Sequence, residues 1–160
     1  MQIIDPVRVR RSYTQKLRAK PSEVFPLLCP VREREWADGW DPITVYSNSG
    51  FAETDCIFLT GQENPESFWV ITDFDPLRHR LEIVKVTPGM TVARITIRLT
   101  ENESGNTDAE VTYMYTAISL EGEAFVKGYS QEFFDGFLQF SESSLISFLD
   151  KRKRNENGGK

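Results

Sequence analysis

A chain of 160 residues, 39% hydrophobic and 27% charged, is long enough for one core and too apolar to be disordered. Its net charge of −5 opposes the phosphate backbone, so no nucleic-acid partner is expected, and no apolar run reaches the length needed for stable membrane insertion. Eleven Phe, five Tyr and three Trp supply ample material for a core or for the walls of a pocket.

Residues 7 to 17 alternate apolar and polar from Val7 and predict a strand. Pro21 suits the first turn of a helix, and Ser22 to Leu28 is short and apolar on one side. Cys29-Pro30 restarts a second short helix, Val31 to Ala37, which Asp38-Gly39 ends. From residue 43 the period becomes two. Ile43 to Ser47 and Thr54 to Thr60 read as a hairpin with Asn48-Ser49-Gly50 in its turn. Ser67 to Phe74, His79 to Thr87 and Thr91 to Glu101 follow as strands, each closed by a turn signal. A last strand puts Val111, Tyr113, Tyr115 and Ala117 on its inner face. Short turns between consecutive strands predict an antiparallel meander.

Residues from about Gly122 to Arg152 predict one long helix. One stripe holds Val126, Tyr129, Phe133, Phe137, Phe140 and Phe148. A neighbouring stripe holds Phe134, Leu138, Leu145 and Leu149. Gly128 and Gly136 interrupt this helix, and Gly136 is expected to make room for a ligand, a strand or a plain packing notch. Residues 1–152 form a single expected domain, with a flexible tail over 153–160. The Lys151-Arg152-Lys153-Arg154 run complements the end of the helix.

Widths then argue for a pocket. Seven strands at ~4.8 Å spacing make a sheet nearly 30 Å across, while a helix with its side chains is about 10–12 Å across. The sheet must curl around the helix, and a curled sheet gripping one cylinder leaves space inside.

The order of strand, two short helices, six strands and long helix resembles the START and polyketide-cyclase-like superfamily, the helix-grip fold (also SRPBCC). Phe25-Pro26-Leu27-Leu28-Cys29-Pro30-Val31-Arg32-Glu33-Arg34-Glu35-Trp36 with Gly39-Trp40 is similar to the helical segment of an uncharacterised bacterial and archaeal branch. Phe68-Trp69-Val70-Ile71-Thr72-Asp73-Phe74-Asp75-Pro76 is similar to the superfamily's fourth strand. The resemblance implies an α+β fold: a curved seven-stranded antiparallel sheet wrapped around a long C-terminal helix, with two short helices after the first strand. It specifies function poorly, because the superfamily spans lipid carriers, hormone receptors, cyclases, dehydratases and co-chaperone-like modules.

Aromatic residues are the candidate ligand contacts, with ordinary core packing as the alternative for each ring. Trp36 and Trp40 sit at helical spacing beside a Gly turn, at the expected pocket mouth. Phe58, Trp69, Tyr13, Tyr113 and Tyr115 come from strands, and Phe133 and Phe137 are expected to face the two tyrosines from the helix. Alternation from Val7 and Val9 puts Arg11 inward. It then pairs with Asp73 or a ligand carboxylate, unless a β-bulge near Arg10-Arg11 turns it to solvent. His79, the only histidine, lies in a charged turn with no serine placed beside it.

One His and two separated cysteines, Cys29 and Cys56, offer no metal-ligand spacing, and no Walker or dinucleotide glycine pattern occurs, so no cofactor is expected. Met1 to Lys20 carries charges and no apolar signal, which points to the cytoplasm and reduced thiols. No motif specifies an oligomeric state. The leading expectation is a carrier of a hydrophobic small molecule. The alternatives are a cyclase or dehydratase, in which Arg11 or a Tyr polarises a carbonyl and Asp73 moves a proton, and a co-chaperone-like interaction module.

Overall fold

The computed structural model describes residues 5–61 and 66–158. Strand β1 spans Arg8–Leu17, and its even residues face solvent while Gln15 and Leu17 are buried. It is followed by a single turn of helix, α1 (Pro21–Val24), and two 3-10 turns, Phe25–Leu28 and Arg32–Glu35. These are shorter and tighter than the two expected helices, because Pro26 and Pro30 remove backbone donors.

Strands β2 (Ile43–Tyr46), β3 (Ile57–Thr60), β4 (Ser67–Asp75), β5 (Arg80–Thr87), β6 (Thr91–Glu101) and β7 (Thr107–Ala117) complete the sheet. The expected β2–β3 hairpin has a longer connection than its Gly50 turn implies. Glu53 ties that connection together by accepting from the backbone N–H groups of Asn48 and Ser49. The seven strands form one antiparallel sheet in the order β1-β7-β6-β5-β4-β3-β2. Only the β1–β7 pairing departs from the meander, which closes the first strand onto the last.

The C-terminal helix is two helices, α2 (Leu120–Gly128) and α3 (Gln131–Gly158), where the apolar stripes predicted one. The break has one local cause and one distant one. Ser130 accepts from the Phe133 N–H at 3.0 Å and so starts α3. Tyr129 leaves the helical region, and its freed carbonyl accepts from Arg11 Nε at 3.1 Å. The helix also runs past the expected boundary at Arg152, so 153–158 are helical and not a tail, while 159–160 lie outside the described residues.

Of the two stripes, the one with Phe134, Leu138, Leu145 and Leu149 faces the sheet. Phe134 is fully buried, and truncating such a residue costs about 3–5 kcal/mol. Phe133 and Phe140 are 62% and 66% exposed. The core falls into two clusters. One joins Leu17, Phe25 and Ile71 to Leu145 and Leu149. The other joins Tyr115, Tyr129, Phe134 and Leu138 under α2 and the start of α3.

Candidate ligand cavity

Between these clusters lies a cavity of about 310 Å³. Its floor is the inner face of the sheet: Leu81, Ile83, Ile95, Ile97 and Val111. One wall is the segment from Leu28 to Trp40, and the opposite wall is α3 from Phe137 to Ser144. Phe137 and Phe140 line the cavity and are also exposed, as are Asp38 and Gly39, so the opening lies between α3 and the Trp-bearing segment.

Rings build the far end. Phe58 and Trp69 stack at 5.3 Å, and Trp40 meets both edge-on at 6.2 and 6.0 Å. The three indole N–H groups are all satisfied by protein. Trp36 donates to the Leu27 carbonyl at 2.9 Å, Trp40 to the Pro30 carbonyl at 2.8 Å, and Trp69 to Thr60 Oγ1 at 2.7 Å. These bonds lock the rings and leave them only apolar surface to offer. Lys85 opposes Trp69 across the β4–β5 ladder, and its ammonium sits 4.7 Å from the ring centre. Burial lowers its pKa.

Six of the expected contact residues therefore line the cavity: Trp36, Trp40, Phe58, Trp69, Tyr113 and Phe137. Five do not, and each is occupied elsewhere. Arg11 does face inward on a β1 that pairs without a bulge, but it holds the helix break through Tyr129. Asp73 is turned away. A register shift between Ile71 and Asp73 moves it to the outer face, where it pairs with Arg80 (Nε to Oδ2, 2.8 Å). The expected Arg11–Asp73 pair does not form. Tyr13 donates to Glu142 at 3.2 Å beside the edge of β1. Tyr115 is packed at 4.9 Å against Tyr129 in the filled end of the trough, and its pKa is raised by burial and by Tyr129. Phe133 faces solvent and touches Tyr129 at 5.5 Å. Gly136 makes room for nothing, since an added Cβ would meet open space.

Glu33 is the residue that sequence reasoning missed as a site residue. It lines the cavity, and burial lifts its pKa from 4.5 to about 8. The available signal was its spacing. Glu33 lies four residues after Cys29, three before Trp36 and seven before Trp40, which places a carboxyl on an otherwise apolar stripe. Gln15 also lines the cavity, but it donates to the Leu138 carbonyl at 3.0 Å and to Ser141 Oγ at 2.8 Å.

Both cysteines are free and buried, and Cys29 Sγ accepts from the Ala52 N–H at 3.1 Å. Among the described residues, no group of three or more His, Cys, Asp or Glu is placed to hold a metal ion, and no helix is long and apolar enough to cross a membrane.

No protein-family model matches the sequence, and no curated protein is detectably similar to it. Solved structures are similar in shape. A norcoclaurine synthase point mutant from Thalictrum flavum, in complex with a transition-state analogue, matches with a TM-score of 0.69 at 11% identity, covering 94% of this chain and 99% of that one. The fold is the helix grip. The SA2116 protein of unknown function from Staphylococcus aureus matches with a TM-score of 0.67 at 13% identity, over 92% of this chain and 96% of that one. The Mll3558 protein from Rhizobium loti matches with a TM-score of 0.63 at 14% identity, over 91% and 99%. At such identities the likeness is one of fold.

Proposed function

We propose that this helix-grip protein binds or carries a hydrophobic small molecule in the cavity between the sheet and α3, and that it belongs with the START and polyketide-cyclase-like proteins. The observation that carries the reading is the cavity itself. Its volume of about 310 Å³ falls within the range of small-molecule sites, and its floor and far wall are apolar. The internally satisfied indoles add to this, since a wall of locked rings binds an apolar body without losing hydrogen bonds. A structural neighbour of the same fold holds a transition-state analogue, which supports the use of this architecture for small molecules.

Of the groups named for the cyclase alternative, Arg11 caps a helix break and Asp73 lies on the outer face, while a Tyr, Tyr113, does line the cavity. The carrier reading is tested with N-phenyl-1-naphthylamine, a neutral dye that brightens in apolar surroundings. Saturable one-to-one binding, weakened by Trp40→Ala, is expected. Absence of saturable binding to the wild-type protein, together with no co-purifying mass in native mass spectrometry, would remove the basis of the reading.

A further inference from the structure

Apolar walls leave open what orients a ligand inside them. The polar groups along the cavity are few, and most are already engaged. Gln15 is bound to Leu138 and Ser141, Ser141 also donates to the Leu138 carbonyl, and Ser144 donates to the Phe140 carbonyl. Asp38 is exposed at the mouth. Two groups remain. Neither the Glu33 carboxyl nor the Tyr113 hydroxyl hydrogen-bonds to any described residue, yet no buried side-chain polar atom among the described residues is without a partner. Both groups are therefore accessible and not sealed in packed protein, and both residues line the cavity. They line the same cavity from different walls, Glu33 from the 3-10 turn Arg32–Glu35 and Tyr113 from β7.

We propose that Glu33 and Tyr113 form a two-donor polar end to the cavity, and that the ligand is an apolar molecule carrying a carbonyl oxygen that accepts from both. The proposal rests on the carrier reading and narrows it to a ligand class. Glu33 is protonated at neutral pH, because burial lifts its pKa to about 8, and Tyr113 is held neutral well beyond that by burial and its neighbours Tyr115 and Glu33. A carboxylic acid and a phenol are both donors, and one acceptor oxygen has lone pairs for two of them.

The charged residues beside Glu33 on its own turn are turned elsewhere. Arg32 pairs with Glu35 and Arg34 with Asp41. From the other walls, the only titratable groups lining the cavity among the described residues are Tyr113 on β7 and Asp38 at the mouth, with the Lys85 ammonium over the Trp69 ring beyond the lining; α3 contributes Phe137, Leu138, Phe140 and two serines, and β1 contributes Gln15. No described cation lines the cavity to draw the Glu33 proton off.

Three probes of one shape test this: 2-ethylnaphthalene, 2-acetylnaphthalene and 1-(2-naphthyl)ethylamine, each competed against N-phenyl-1-naphthylamine at pH 6 and pH 9. The ketone should bind about tenfold tighter than the hydrocarbon at pH 6, and the ratio should shrink at pH 9 as Glu33 ionises and ceases to donate. Taking the ratio of two neutral probes cancels titrations elsewhere in the protein. Glu33→Gln keeps an N–H donor, so its ratio should be the same at both pH values, and Tyr113→Phe should lower the ratio at both. Equal binding of ketone and hydrocarbon to the wild type at pH 6 would overturn the proposal while leaving the carrier reading standing. Tightest binding of the amine would also overturn it, by showing Glu33 acting as a carboxylate. If N-phenyl-1-naphthylamine binds and neither neutral probe displaces it, the proposal alone falls; if the dye itself shows no saturable binding, the carrier reading falls and takes the proposal with it.

Discussion

A carboxyl group against an apolar wall loses its hydration when it ionises, and Glu33 keeps its proton to about pH 8 for that reason. The same shift has a consequence for stability. Between pH 4.5 and 8 the folded protein holds a proton that the unfolded chain has released, so stability falls as pH rises through that window. The slope is at most ~1.4 kcal/mol per pH unit, less whatever solvent in the cavity screens. Urea titrations at pH 5 and pH 8 should show this decline, and Glu33→Gln should flatten it and raise stability at the upper end. A profile for Glu33→Gln parallel to the wild type would mean that the carboxyl is hydrated after all. Spacing sets Glu33 on the stripe of Cys29, Trp36 and Trp40 but does not say that the stripe borders a hollow, while its neighbour Glu35 pairs with Arg32 in solvent. The difference lies in which side of one helical turn meets the cavity.

Two glycines show how elements come to differ. At Gly122, in the first turn of α2, an added Cβ would lie 1.8 Å from the Met90 carbonyl oxygen. The close approach is held by Ser119, which donates to the Gly89 carbonyl and caps Gly122, and by the Ile118 N–H bonding to Met90. Gly122→Ala must push α2 off the β5–β6 turn and should cost ~1–3 kcal/mol. At Gly136 an added Cβ meets nothing, so Gly136→Ala should stabilise α3 by up to ~1 kcal/mol through helix propensity alone. Thermal melts of the two variants should move in opposite directions. Periodicity made the strands and the helical region legible, because alternation and 3.6-residue spacing are local properties. It did not distinguish the two adjacent stripes of the helical region, since both are built of large apolar side chains. The sheet selects Phe134, Leu138, Leu145 and Leu149, and leaves Phe133 and Phe140 outside. The break at Tyr129 was hidden for a related reason: it is held by Arg11, a residue 118 positions away.

Over the whole molecule, a trough wider than its helix has one end filled by α2 and the start of α3 and the other by the loops after β1, with the void between them. A side chain enlarged into real space should cost little. Val111→Phe, on the cavity floor, should lose less than ~1 kcal/mol by urea denaturation, below the usual penalty for overfilling a packed core, and should abolish binding of N-phenyl-1-naphthylamine. A large stability loss with dye binding retained would place the dye on the exposed Phe133–Phe140 surface instead. The residues by themselves determined the seven antiparallel strands, the aromatic wealth and the width mismatch that demands a hollow, because each follows from local period and composition. Only the tertiary structure decided that a register shift turns Asp73 outward, that Arg11 serves a helix break, and that Glu33 faces the hollow. Those outcomes depend on which distant groups meet and how much water they exclude, and neither quantity is written in the spacing of residues along a chain.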